Sequence, residues 1–233
     1  MITLKLAGLP IGVDNRYSHI ERLAVDYVTD EQPIFTVRAS DEDIERERTQ
    51  SETEFTDGYL ESIVVYRLIA EILPRYGAFV FHGAVLALNG EAYAFTARSG
   101  VGKTTHTGLW ISEFGDEVHY LNGDKPIIRI IDGKAYAHGT PWRGKEGYGV
   151  NESLPLCGIA LLGRGTVNEA RVIDPSSGVL RLFGQIYLPK DQESLKLTMR
   201  LADSLVKATK LVELKCNMDP EAAHVSRRAL TDK

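Results

Sequence analysis

Apolar positions along the chain follow two periods. Short β-like runs at residues 2–6, 22–28 and 34–38, separated by Gly, Pro, Asp and Asn, predict a small β-rich opening. Ser40 followed by Asp43 forms a capping-box pattern and predicts a helix that loosens into the polar residues up to Thr56. From 59 to 73 apolar residues cover most of a helical circumference until Pro74 stops them, which predicts a largely buried helix. This places a boundary near residue 57, with units 1–57 and 58–233.

The pattern then shortens. Runs over 78–88 and 91–95 flank Asn89-Gly90, and runs over 126–131 and 134–138 flank Asp132-Gly133. Both pairs predict hairpins, because the two central residues of a type I′ turn need positive φ. A helix is expected over 105–114, strands over 118–121 and 157–162, and a polar loop over 140–149. Asp174-Pro175 and Asp219-Pro220 each place a capping acid before a first-turn proline, and Leu195, Met199, Ala202 and Val206 mark a helix between them.

Composition narrows the class. The chain has 233 residues, 43% of them hydrophobic and 25% charged, enough to bury a core without metals or disulfides. A net charge of −5 argues against a nucleic-acid partner, since phosphate-backbone binders rely on surplus Lys and Arg. The acidity is local: residues 41–57 hold eight acids against Arg46 and Arg48, an exposed segment. No apolar run is long enough for a membrane span, and no secretory signal pattern precedes the first strand. Cys157 and Cys216 are too few and too far apart for a disulfide framework or metal cluster. The expectation is a cytoplasmic protein.

The chemistry concentrates between the second strand of the first hairpin and the following helix. Residues 97–105 read Ala-Arg-Ser-Gly-Val-Gly-Lys-Thr-Thr. This is a phosphate-binding loop, with Ala97 where the usual pattern has its first glycine. Ser99, Gly100, Val101, Gly102, Lys103, Thr104 and Thr105 are the expected nucleotide-binding residues: backbone N–H groups wrap the phosphates, glycines permit the dihedrals, and Lys103 reaches the β and γ phosphates. Thr104 offers its hydroxyl to Mg²⁺, and the helix points its positive end at the anion. Mg²⁺ needs an acidic partner at the end of a nearby strand, and Asp124 in Tyr120-Leu-Asn-Gly-Asp124 fits, the alternative being a polar turn. The expected cofactors are ATP and Mg²⁺.

Phe81-His82-Gly83-Ala84-Val85, a hairpin, Ser99-Gly-Val-Gly-Lys-Thr104 and a strand ending at Asp124 together resemble the catalytic domain of HPr kinase/phosphorylase. ATP-dependent phosphoenolpyruvate carboxykinases share that core. The resemblance covers about residues 78–131 and implies an α/β fold, a mixed-sheet P-loop kinase core, behind the small N-terminal β-rich subdomain. It implies that His82 lies near the transferred phosphate, that Lys103 and Thr104 serve phosphate and metal, and that Asp124 matches the second acid of the family's acidic pair. Gly123 stands where the family has its first acid, credited with activating the acceptor hydroxyl. Loss of that acid puts protein-serine phosphorylation by the same route in question, with His82 as the candidate substitute base, the alternative being a hydrogen-bonded core histidine.

The loop 139–147 concentrates Trp142, Arg143 and Lys145 between glycines. Arg143 is a candidate catalytic residue on a loop that closes over a phosphate; the alternative is a solvated turn with Trp142 anchored in the core. Histidines at 19, 82, 106, 119, 138 and 224 lack zinc-ligand spacing, and neither a G-x-S-x-G elbow nor a G-x-G-x-x-G dinucleotide pattern occurs. The expectation is a Mg²⁺-ATP-dependent phosphotransferase whose unidentified acceptor is a hydroxyl on a protein, a peptide or a small molecule. A nucleotide-binding regulatory module is the second reading, motivated by Gly123, and a P-loop scaffold without nucleotide the third. Homo-oligomerisation stays open.

Overall fold

The computed structural model describes residues 1–51, 53–98 and 100–232. β1 (Ile2–Leu6) and β2 (Leu9–Val13) form an antiparallel hairpin, and β3 (Phe35–Val37) joins β2 in parallel. The strand expected over 22–28 does not form. Those residues complete α1 (His19–Leu23) and make a 3-10 turn over Val25–Tyr27. Val25 and Val28 raised the β signal, yet both are exposed, while Ile20, Ala24 and Tyr27 are buried at helical spacing. The strand β2 went unread because Pro10 and Gly12 interrupt its pattern.

Helix α2 (Asp41–Gln50) starts where the capping pattern put it, with the Asp43 amide donating to Ser40 Oγ at 3.1 Å. Its acids are held by arginines: Arg46 on Asp43, Arg48 on Glu45, and Arg67 on Glu47. Helix α3 (Asp57–Ile72), capped by Thr56, packs Leu60, Val64 and Ile69 into one apolar cluster with Leu4, Ile11 and Ile20. That cluster spans both sides of residue 57.

Nine strands of the described residues form a curled mixed sheet. In spatial order, β4 (Ala78–Val80), β8 (Ile127–Ile131), β9 (Lys134–His138) and the start of β10 (Ser153–Arg164) run antiparallel. The rest of β10 lies parallel to β6 (Glu91–Thr96) on one side and to β12 (Lys210–Cys216) on the other. β5 (Ala84–Leu88) and β7 (Val118–Asn122) extend the sheet beyond β6, and β11 (Glu169–Val172) edges β12. β10 is 12 residues long, twice the apolar run that signalled it, because its first residues pair antiparallel with β9 around Pro155, which reads as a breaker.

Alternation within β6 separates two cores. Ala92 and Ala94 face the cluster of α5 (Pro175–Leu182) and α6 (Gln192–Ala208), while Tyr93 and Phe95 face that of α4 (Lys103–Phe114) and α7 (Glu221–Thr231). Helices therefore cover both faces, a mixed α/β architecture. Asp174 caps α5 as expected through the Ser176 amide at 2.8 Å. Asp219 does not cap α7, since its carboxylate accepts from Asn217 Nδ2 at 2.7 Å and the helix begins one residue past Pro220. No helix of the described residues is long and apolar enough to cross a membrane.

The run 78–88 is two strands, β4 and β5, which belong to different ladders. The chain crosses between them at Phe81-His82-Gly83, so His82 lies in a break rather than on a strand. A Cβ on Gly83 would sit 2.6 Å from the Phe81 ring and 2.9 Å from the Phe95 carbonyl, so only glycine fits.

Candidate functional site

β6 ends at Thr96 and α4 starts at Lys103, with residues 97–102 between them. Gly100 and Gly102 have φ of 76° and 121°, and a Cβ at either would meet nothing within 4 Å, so glycine is needed for conformation and not for space. The Val101 amide donates to the Arg98 carbonyl at 3.2 Å. No side chain caps α4 among the described residues, which leaves its first-turn amides for a ligand. Thr104 and Thr105 are exposed at that end, and Ser99 lies outside the described residues. Arg164, at the carboxyl end of β10, donates to the Gly100 carbonyl at 2.6 Å and fixes the loop from the neighbouring strand.

Asp124 follows β7 by two residues, held by a side chain that the sequence reading treated only as part of a turn. Asn122 is fully buried, and its Oδ1 accepts from the Asp124 and Lys125 amides at 2.9 and 2.8 Å. Its Nδ2 donates to Thr140 Oγ1 at 3.0 Å. The Lys125 carbonyl in turn accepts from Tyr66 Oη at 2.7 Å and Thr140 Oγ1 at 2.9 Å. Asn-Gly followed by a polar residue is the usual signature of such a side-chain-to-backbone turn, and it was the available signal.

Two lysines and an imidazole surround the Asp124 carboxylate. Lys103 Nζ and His82 Nε2 each lie 3.5 Å from Oδ1, and Lys125 Nζ lies 3.3 Å from Oδ2. Burial opposes ionisation of this acid, but the His82 imidazole and the Lys125 and Lys103 charges outweigh it and hold the carboxyl well below the usual carboxylate range. The His82 main chain is equally fixed: its amide donates to the Gln185 carbonyl at 2.7 Å, and its carbonyl accepts from Thr96 Oγ1 at 2.9 Å at the end of β6. The Gly83 amide donates to the Asp124 carbonyl at 3.0 Å. His82, Lys103 and Asp124, far apart in the chain, are thus brought together.

The loop 139–149 lies over this turn. The Gly123 amide donates to the Tyr148 carbonyl at 2.9 Å, and a Cβ on Gly144 would come 3.0 Å from the Asp124 Cβ. Gly123 itself is enclosed, since a Cβ there would stand 3.0 Å from the Arg143 carbonyl and 3.3 Å from that of Tyr148. Trp142 is anchored: its ring stacks on Tyr66 with centroids 4.0 Å apart, and Nε1 donates to the Ser62 carbonyl at 3.1 Å. The Arg143 side chain is not brought to the three-residue cluster; Nη2 lies 3.6 Å from Asp26 Oδ2, the guanidinium sits over the Tyr27 ring, and Nε is buried without a partner among the described residues. Arg129 donates to the Ala7 carbonyl at 2.8 Å, a structural tie.

The residues fit ATP with Mg²⁺. Bare first-turn amides and Lys103 suit phosphates, and the ionised Asp124 with the exposed Thr104 matches the habit of Mg²⁺, which takes one or two protein oxygens and completes its shell with substrate phosphates and water. No group of three or more His, Cys, Asp or Glu side chains in the described residues offers an all-protein metal cage.

No protein-family model matches the chain, and no curated protein matches it. Among solved structures, the HPr(Ser) kinase/phosphatase from Coxiella burnetii is similar at 7% identity, with 64% of this chain and 94% of that chain covered and a TM-score of 0.36. This is a distant likeness of structure, and the chemistry of the site rests on the residues above.

Proposed function

We propose that this chain is an ATP-dependent phosphotransferase that moves the γ-phosphoryl group of Mg²⁺-ATP to a hydroxyl. The observation that carries the reading is the meeting of Lys103, His82 and an ionised Asp124 at the uncapped N-terminus of α4. Phosphoryl transfer passes through a loose transition state, so a site needs positioning and compensating charge more than a strong base. Lys103 binds the β and γ phosphates together with the amides of Gly100 to Thr105. Asp124 and Thr104 would hold the cation, which would supply neutralisation of the charge that develops on the leaving group.

His82 is the base. Its Nε2 faces Asp124 Oδ1, which leaves Nδ1 for the acceptor's proton, in the manner of a base oriented by a carboxylate. The acceptor oxygen bonds to the γ-phosphorus, the bond from that phosphorus to the bridging β–γ oxygen breaks, ADP leaves, and the hydroxyl proton passes to the imidazole. The loop around Arg143 covers the Asp124 turn and limits access of water to it.

Incubation of the protein with Mg²⁺ and γ-labelled ATP in a cell extract tests the reading, with Lys103→Ala as control. Label on a discrete protein, peptide or metabolite with the wild type alone is the expected result; nucleotide binding with neither transfer nor phosphate release would overturn it. One observation favours the second reading, a regulatory nucleotide-binding module: Gly123 lies beneath two carbonyls, which an acid completing a carboxylate pair would have to push aside.

A further inference from the structure

Asp124 carries one negative charge, yet both lysines and the imidazole turn toward it. Lys103 is accounted for by the phosphate loop. Lys125 is not: it lies on Oδ2, whereas Lys103 and His82 share Oδ1, so it occupies the opposite side of the carboxylate from the phosphate-loop lysine. With Lys103 and Lys125 set against a single carboxylate, the local sum is positive even when His82 is neutral. Lys125 is left still less compensated whenever the carboxylate serves a cation.

The main chain around Lys125 is fixed to an unusual degree for a half-exposed residue. Its amide is held by the buried Asn122 and its carbonyl by the Tyr66 and Thr140 hydroxyls, and Pro126 follows with no amide to move. Those hydrogen bonds set where the side chain starts, and Nζ has no other acceptor among the described residues. A half-exposed ammonium that shares its one acidic partner with Lys103 and His82 is a point charge open to an anion.

We propose that Lys125 binds an anionic group of the acceptor, so that the phosphorylated hydroxyl belongs to a molecule bearing a carboxylate or a phosphate. The inference rests on the phosphotransferase reading and gives it a substrate class. It places the anionic group of the acceptor at Lys125, on the Oδ2 side of Asp124, with the hydroxyl reaching His82 on the Oδ1 side.

The test uses the full chain saturated with Mg²⁺ and a non-hydrolysable ATP analogue, with inorganic phosphate as the probe, titrated by calorimetry. The wild-type complex is expected to take up phosphate, and Lys125→Met to weaken it about tenfold or more while analogue affinity stays within about twofold. Lys134→Met, at the tip of the β8–β9 hairpin, controls for the loss of one positive charge and is expected to change neither. Phosphate affinity equal in wild type and Lys125→Met, or no phosphate uptake by the wild-type complex, overturns the proposal and leaves the nucleotide site standing. A fall in analogue affinity with Lys125→Met assigns the lysine to the γ-phosphate instead and likewise overturns it. Failure of the wild type to bind the analogue at all defeats the phosphotransferase reading, and this inference with it.

Discussion

At the scale of single residues, the site divides labour between nitrogen atoms that meet one carboxylate. Lys103→Ala is expected to weaken ATP about tenfold or more, as loss of a charge-assisted contact to phosphate should, read by calorimetry. His82→Ala should behave differently: turnover falls by about 10²- to 10⁴-fold, the usual contribution of a general base, while nucleotide affinity is retained. An equal loss in both would make His82 a structural residue. Gly123→Asp tests whether the missing acid can be restored. The Cβ would press on the Arg143 and Tyr148 carbonyls, so the substitution is expected to cost about 1–3 kcal/mol of stability by chemical denaturation and to add no activity.

Among elements, the device to consider is the covering loop and what holds it. Tyr27 Oη donates to the Val150 carbonyl at 3.2 Å, Asn151 Nδ2 donates to the Asp26 carbonyl at 2.6 Å, and Arg143 reaches the same segment. Residues 26–27 thus fasten the loop from one end while Trp142 pins it to α3 from the other. Tyr27→Phe removes one fastening without removing the ring, and faster amide exchange confined to residues 143–151 is the expected result. An anchored Trp142 was one of the two readings of the loop, but the fastening by residues 26–27 was not legible, because the strand assigned to 22–28 would have sent Tyr27 elsewhere. By contrast, the glycine turn before α4, the hairpins at Asn89-Gly90 and Asp132-Gly133, and the caps at Ser40 and Asp174 were legible, since each is set by neighbours within a few positions. What could not be read is long-range: the Thr140 contact that holds Asn122, the Arg164 contact to Gly100, and the division of 78–88 between two ladders. Local patterning carries no information on which ladder a strand joins.

On the scale of the whole molecule, titration of buried histidines governs stability. His106 lies between α4 and α7, 3.0 Å from Ser226 Oγ, and His138 pairs with Ser153 Oγ at 2.6 Å. Burial lowers both to about 4 from the ordinary 6.5, with Arg129 adding to the effect on His138. A group depressed on folding binds its proton more readily in the unfolded chain. Stability is therefore full above pH 6.5 and is lost as the pH falls from 6.5 toward 4, by on the order of 3 kcal/mol for each histidine. Denaturant midpoints measured across that range check the sign, and His106→Gln should flatten the dependence by about half.

The length of β10 has its own consequence. Because its first three residues complete the antiparallel ladder and the rest supply the parallel neighbour of the strand before the phosphate loop, no cut through the sequence separates the two ladders without dividing a strand. A split-protein reporter built from this chain should reassemble only when the break falls in an outlying turn such as Asp132-Gly133, and a break near Pro155 should yield two halves that cannot find each other.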